Sequence, residues 1–282
     1  MYWDPHREMF SFNIPFLNRP ILWYGFFFAL GFFIAYLTTL FLLRGYFKEN
    51  PKEAAGLSNK MAAHTIVEKI TLYIVLGTVI GARLGDVLFY QDLSEYLTHP
   101  LDIFKVWEGG LASHGGVMGV MVGIYLSARS LKKKFPTFSW VRILDFLAIP
   151  ACFAGTCIRV GNFFNQEVLG KTTTLPWGIV FGHPVDGGPI TPRHPAQLYE
   201  ATFYLLLAAF LYLIWEKSSF IRKTGKLTGL FFILFFAFRF SIEFLKVEQS
   251  VYLEGEGSLL MGQLLSIPFI LFGSYLLFRP ER

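Results

Sequence analysis

The sequence predicts an all-α integral membrane protein, a bundle of about seven transmembrane helices with the N-terminus outside and the C-terminus in the cytoplasm. Three observations predict it. Hydrophobic residues make up 54% of the chain and charged ones only 16%, a balance foreign to a soluble domain. Apolar stretches recur that can cross a bilayer of about 30 Å, which takes roughly 20 helical residues. Lysines and arginines collect in short clusters between those stretches, as the positive-inside rule requires. The same clustering argues against reading the net charge of +5 as a nucleic-acid surface, and no nucleic-acid partner is expected.

The first stretch covers residues 22–43. It is too long for a signal-peptide core and lacks a small-residue cleavage site, so it is expected to stay in the mature protein. Residues 66–89 and 111–126 follow, the latter the shortest of the set. Residues 143–160 carry Asp145 and Pro150, which disfavour a regular helix. Stretches 196–215, 227–245 and 259–278 complete the series. Cys152 and Cys157 share one apolar stretch and lack metal-binding spacing, so they read as small core side chains.

Basic clusters fall on alternate sides. Arg44, Lys48, Lys52 and Lys60 follow the first stretch. Arg129, Lys132, Lys133, Lys134 and Arg142 follow the third, and Lys217, Arg222, Lys223 and Lys226 the fifth. All three clusters are expected in the cytoplasm. Asp92, Glu95, Asp102 and Glu108, then Glu248, Glu254 and Glu256, mark the opposite side. Residues 161–195, rich in Gly, Pro and Thr, read as an outer-side loop with short turns within one membrane-embedded domain of residues 1–282.

Charged groups inside such stretches are costly, so they face the bundle interior and mark sites or structural pairs. Arg83 and Asp86 share a helix face, and an internal ion pair suits them as well as catalysis does. Arg239 and Glu243 stand four residues apart near the outer end of the sixth stretch, and Arg159 ends the fourth on the same side. Two arginines there can clamp a phosphate, because guanidinium presents a planar fork of donors. His114 precedes Gly115 and Gly116, which leave room for a ligand or another helix; an imidazole there can take up a proton or simply cap a helix end. His194, Gln197, Tyr199 and Glu200 lead into the fifth stretch. Topology puts all these clusters near the outer leaflet, which predicts a site for an anionic lipid headgroup.

RVGNFFNQEVLG at 159–170, SHGGVMG at 113–119, RHPAQLYE at 193–200 and FRFSIEF at 238–244 together resemble the prolipoprotein diacylglyceryl transferases of bacteria. WYGFFFALGF at 23–32 and MGQLLSIPFI at 261–270 are similar to that family too, so the resemblance spans nearly the whole chain. It implies a multi-pass enzyme of the bacterial inner membrane, with its active site towards the outer leaflet. Such an enzyme moves the diacylglyceryl group of phosphatidylglycerol onto the lipobox cysteine of preprolipoproteins and releases glycerol 1-phosphate. The resemblance implies His114, Arg159, Arg239, Glu167 and Glu243 as catalytic residues. It implies Tyr24, Gly115, Gly116, Asn162, Asn165, Gly170, His194, Gln197, Tyr199 and Glu200 as substrate-binding ones.

The chemistry fits these residue types. A thiol with a pKa of about 8.5 is mostly protonated at neutral pH, so a base such as His114 would help form the thiolate. Arginines are needed most as charge develops on the departing phosphate oxygen. Glu167 and Glu243 are expected to orient the arginines rather than to take protons. No metal and no cofactor are expected. Phe235 stands where the family resemblance leads one to expect tyrosine, and Asp86 where it leads one to expect an aromatic. The rival readings are a transporter for an anionic lipid or solute, whose paired repeats are missing, and an intramembrane protease, whose GxSxG or aspartate pair is missing.

Overall fold

A computed structural model of the chain describes residues 1–10, 20–91, 96, 98–105, 110, 112–247 and 259–280. The acidic residues Asp92, Glu95, Glu108, Glu248, Glu254 and Glu256 lie outside them. The described residues form α1 (Trp23–Glu49), α2 (Asn59–Phe89), α3 (Ser113–Leu131), α4 (Trp140–Phe164), α5 (Ala196–Lys217), α6 (Lys226–Ile242) and α7 (Met261–Phe278). Short strands β1 (Tyr2–Trp3), β2 (Glu8–Phe10), β3 (Ile21–Leu22), β4 (Ile179–Phe181) and β5 (Pro192–Arg193) complete them.

Six of the helices are long and apolar enough to cross a membrane, and α3 is the exception. Its 19 residues are diluted by glycine, serine and histidine. α4 corrects the expectation drawn from Pro150 and Asp145, because it is one continuous helix of 25 residues with Pro150 inside it. Asp145 lies near the helix start, fully buried, with Arg142 one turn away at 4.0 Å. α2 begins well before its apolar stretch, where the Ser58 hydroxyl accepts the Met61 amide at 3.3 Å and caps the helix.

The chain divides into two compact units. One comprises residues 39–146 and holds the last part of α1, all of α2 and α3, and the first turns of α4. Its central feature is the glycine seam between α2 and α3. A Cβ at Gly77, Gly81 or Gly85 would strike backbone at Gly119 or Gly115, and the reverse holds for Gly115 and Gly119. Only hydrogen side chains let two backbones approach so closely, a packing mode typical of helices in lipid. Arg83 and Asp86 form the internal pair, 3.6 Å apart and both buried. The Arg83 guanidinium also donates to the carbonyls of Asp102 (2.7 Å) and Ile103 (2.9 Å), so it fastens a loop to α2. Arg142 lies 4.9 Å from the centre of the Tyr46 ring.

The other unit comprises residues 1–38 and 147–282. Here β1 runs parallel to β4 and β5 runs antiparallel to it, so the N-terminus and the 161–195 stretch share one small sheet. Its apolar core is Phe163, Leu169, Ile179 and Phe181, with Trp3 stacked on Phe163 at 4.6 Å. The stretch read as turns therefore has a core of its own. α6 and α7 meet through Gly229 and Gly273, and the buried Lys226 donates to the carbonyls of Leu277 (2.9 Å) and Arg279 (2.7 Å). That ammonium satisfies carbonyls left over at the end of α7. Cys152 and Cys157 are free thiols and buried.

Candidate active site

The polar residues that end α4 and follow it are held by a chain of hydrogen bonds. Arg159 Nη1 donates to Asn162 Oδ1 at 2.9 Å, a contact made possible by their spacing of three on one helix face. Asn162 Nδ2 donates to Glu167 Oε1 at 2.7 Å, and Asn165 Nδ2 reaches the same oxygen at 3.4 Å. Glu167 thus orients Arg159 through an amide. The turn that presents it is strained, since Gln166 (φ 54°) and Val168 (φ 58°) both occupy the left-handed region. A β-branched residue there is uncommon and costs on the order of 1–3 kcal/mol, which the surrounding bonds must offset. The Glu167 amide donates to the Asn162 carbonyl (3.0 Å), the Val185 amide to the Gln166 carbonyl (3.0 Å), and Gln197 Nε2 to the Glu167 carbonyl (2.7 Å).

α5 supplies the carboxylate that faces Arg159 directly. Glu200 Oε2 lies 2.9 Å from Arg159 Nε, and Lys246 Nζ lies 2.9 Å from Glu200 Oε1. Glu200 is fully buried and Lys246 nearly so. Lys246 also faces Glu243 at 3.5 Å. The row Arg159, Glu200, Lys246, Glu243 therefore alternates in sign, as buried charges must if each is to keep a partner. Short backbone pairing carries Lys246 to this place. The Lys171 amide donates to the Leu245 carbonyl at 2.8 Å, and the Val247 amide to the Leu169 carbonyl at 3.0 Å. Gly170 sits in that pairing, where a Cβ would collide with the His194 backbone.

Arg239 and Glu243, four residues apart, face different partners. α6 ends at Ile242 and Glu243–Leu245 is a 3-10 turn, and the Glu243 carboxylate faces Lys246 three residues on. Gly262, at the start of α7, leaves the space that the Glu243 carboxylate fills. Arg239 is half-buried and, among the described residues, has no hydrogen bond or ion pair. Its charge is felt by the phenol of Tyr204, which donates to Glu200 Oε1 at 3.4 Å.

Tyr24 joins this group. It packs on Gly161, where a Cβ would meet its ring at 3.0 Å, and it interacts electrostatically with Glu167 and Arg159. His194 and Tyr199 form a neighbouring set: the His194 ring nitrogen is 3.3 Å from the Tyr199 hydroxyl, which accepts the Trp177 indole N–H at 2.8 Å. His114, Gly115 and Gly116 belong to the 39–146 unit. His114 is exposed at the start of α3. Gly115 is taken up by the seam with Gly81 and Gly85, whereas a Cβ at Gly116 would meet only ordinary contacts, the nearest Ala82 at 3.6 Å. Sequence reading missed Lys246 and Tyr204. Their signals were present: Tyr204 stands one helical turn beyond Glu200, and Lys246 three residues beyond Glu243.

Apolar helices around a buried polar cluster of alternating sign define a multi-pass membrane protein. The family model for prolipoprotein diacylglyceryl transferase matches residues 11–279. Relatives called phosphatidylglycerol–prolipoprotein diacylglyceryl transferase include one from Solidesulfovibrio magneticus, 42% identical over 92% of this chain and 90% of that protein. Those from Porphyromonas gingivalis (38%, covering 98% and 93%) and Protochlamydia amoebophila (35%, covering 100% and 95%) are similar over nearly their whole lengths. The chain belongs to the prolipoprotein diacylglyceryl transferase family, and it is a transferase.

Proposed function

We propose that this enzyme transfers the diacylglyceryl group of phosphatidylglycerol to the lipobox cysteine of preprolipoproteins and releases glycerol 1-phosphate. The observation that carries the reading is the arginine pair: Arg159 fixed by Glu200 and Asn162, and Arg239 with no carboxylate partner among the described residues. A half-buried guanidinium is stabilised by an anion, and a phosphodiester offers a charge and oxygens that fit its planar fork.

In the reaction the cysteine sulfur attacks a glycerol carbon. A carbon–sulfur bond forms, the bond from that carbon to the phosphate oxygen breaks, and the electron pair leaves with glycerol 1-phosphate. Arg239 and Arg159 meet the charge that grows on that oxygen, where donors fixed in advance lower the barrier most. Glu167, Asn162 and Glu200 hold Arg159, Glu243 holds Lys246, and Asn165 and Gln197 hold the loop, while Tyr24, Gly170, His194 and Tyr199 shape the space around the headgroup. His114 is proposed as the base that takes the thiol proton, on the strength of its imidazole chemistry and the family resemblance. Gly115 and Gly116 keep the start of its helix free of bulk. The proposal includes α3 as a seventh span, the N-terminus outside, the C-terminus in the cytoplasm, and the site near the outer leaflet of the inner membrane in one catalytic domain.

The test uses the purified enzyme in detergent with phosphatidylglycerol labelled in its diacylglyceryl part and a lipobox peptide. Label is expected on the peptide, and neither a peptide with serine in place of cysteine nor the Arg159→Ala enzyme should give it. Headgroup binding without transfer by the unaltered enzyme would overturn the reading. His114→Gln with near-normal transfer would remove His114 as the base.

A further inference from the structure

Tyr204 joins the two helices that carry the arginines. It lies on α5, is 1% exposed, and its ring fills the space beside Gly155 of α4, where a Cβ would come within 3.1 Å of it. On its other side the ring stacks on Phe235 of α6, with centroids 4.6 Å apart and planes inclined by 18°. A buried phenol needs a partner for its hydroxyl. The Tyr204 O–H donates to Glu200 Oε1, and the oxygen interacts electrostatically with both Arg159 and Arg239.

That placement has a chemical use. Two guanidiniums brought to one phosphate repel each other before it arrives. A second carboxylate beside Arg239, like Glu200 beside Arg159, would relieve the repulsion but would compete with the phosphate for that guanidinium's donors. A neutral phenol oxygen offers lone pairs to hold the arginines without cancelling their charge. Position 235, where the family resemblance leads one to expect a tyrosine, is phenylalanine here, and the hydroxyl is carried on the ring stacked against it.

We propose that the Tyr204 hydroxyl is a positioning group: bonded to the Glu200 that pairs with Arg159, on a ring stacked on Phe235 one turn before Arg239, it helps both guanidiniums meet one phosphate of the lipid donor. The inference rests on the transferase reading above. It is tested with the full-length enzyme in detergent, measuring kcat and KM for phosphatidylglycerol and the thermal midpoint of Tyr204→Phe and of Tyr204→Phe with Phe235→Tyr. Tyr204→Phe keeps the ring and its stacking, so the midpoint should stay within about two degrees of the unaltered enzyme. Loss of a hydrogen bond within a charged cluster should lower kcat/KM about tenfold. Phe235→Tyr should restore most of it.

A Tyr204→Phe enzyme with normal kcat/KM would overturn the inference alone, because the unaltered enzyme beside it would still show transfer. So would a loss of rate matched by a fall in the midpoint, or a double variant no better than the single one. No transfer by the unaltered enzyme would instead overturn the functional reading.

Discussion

Arg159 and Glu200 are paired across α4 and α5 at 2.9 Å, with the carboxylate fully buried and its second oxygen taken by Lys246. Glu200 is thus the one anion between two cations. Replacing it with glutamine leaves Arg159 and Lys246 facing a neutral amide in a dry place, and breaking a buried pair costs about 3–5 kcal/mol. Glu200→Gln should therefore lose thermal stability and transfer together. A normal midpoint in a scanning measurement would show that the pair does not hold the site.

Arg239 differs from Arg159 because nothing among the described residues neutralises it. Its fork of donors is free to meet phosphate, so geometry should matter as much as charge. Arg239→Lys keeps the charge and loses the fork. It should lower kcat on the order of a hundredfold, as removal of a donor at a developing oxyanion does, with little change in the midpoint. Full activity of this variant in the transfer assay would show that the planar fork is dispensable.

The apolar helices were legible in the sequence because a bilayer demands long uninterrupted apolar stretches, and a local count of side chains finds them. The same local logic misread α4, because neither Pro150 nor Asp145 is a defect once a helix is long and Arg142 supplies a partner one turn away. RVGNFFNQEVLG was legible as a polar cluster, because its internal bonds run over a few residues. The partners that complete it were not. Glu200 faces Arg159 from another helix, and Lys246 arrives by backbone pairing with the segment around Gly170. The spacing of Arg239 and Glu243 gave no sign that the carboxylate would face Lys246, because spacing alone does not choose between two cations.

Gly115 separates a packing role from a binding role. A methyl group there would strike the carbonyl of Gly81, and two backbones cannot part without opening the whole α2/α3 seam. Gly115→Ala should cost about 2 kcal/mol or more in stability, seen as a lower unfolding midpoint, with any loss of transfer following from that. Gly116→Ala meets only ordinary contacts and should be nearly neutral in the same measurement. Unchanged stability with abolished transfer in Gly115→Ala would point to a ligand at that glycine instead.

The N-terminal strand should dock in a pH-dependent way. Asp4 Oδ1 lies 2.6 Å from the His183 ring and accepts Gln166 Nε2 at 3.0 Å, while Gln166 Oε1 accepts the His183 amide at 2.7 Å. These bonds, that to His183 foremost and that to Gln166 next, hold the Asp4 carboxyl below its usual range. A group with a lowered folded pKa stabilises docking fully above its unfolded value of about 3.9, and the gain disappears as pH falls through the lower, docked value. Docking of residues 1–10 should therefore be constant near neutrality and weaken only in acid. Trp3 reports it, since its indole donates to the Phe163 carbonyl at 3.1 Å. Trp3 fluorescence, read in an enzyme whose other tryptophans are replaced, should shift below about pH 4, and Asp4→Asn should show the shifted signal at every pH. A shift centred near pH 6.5 would assign the dependence to an imidazole rather than to Asp4.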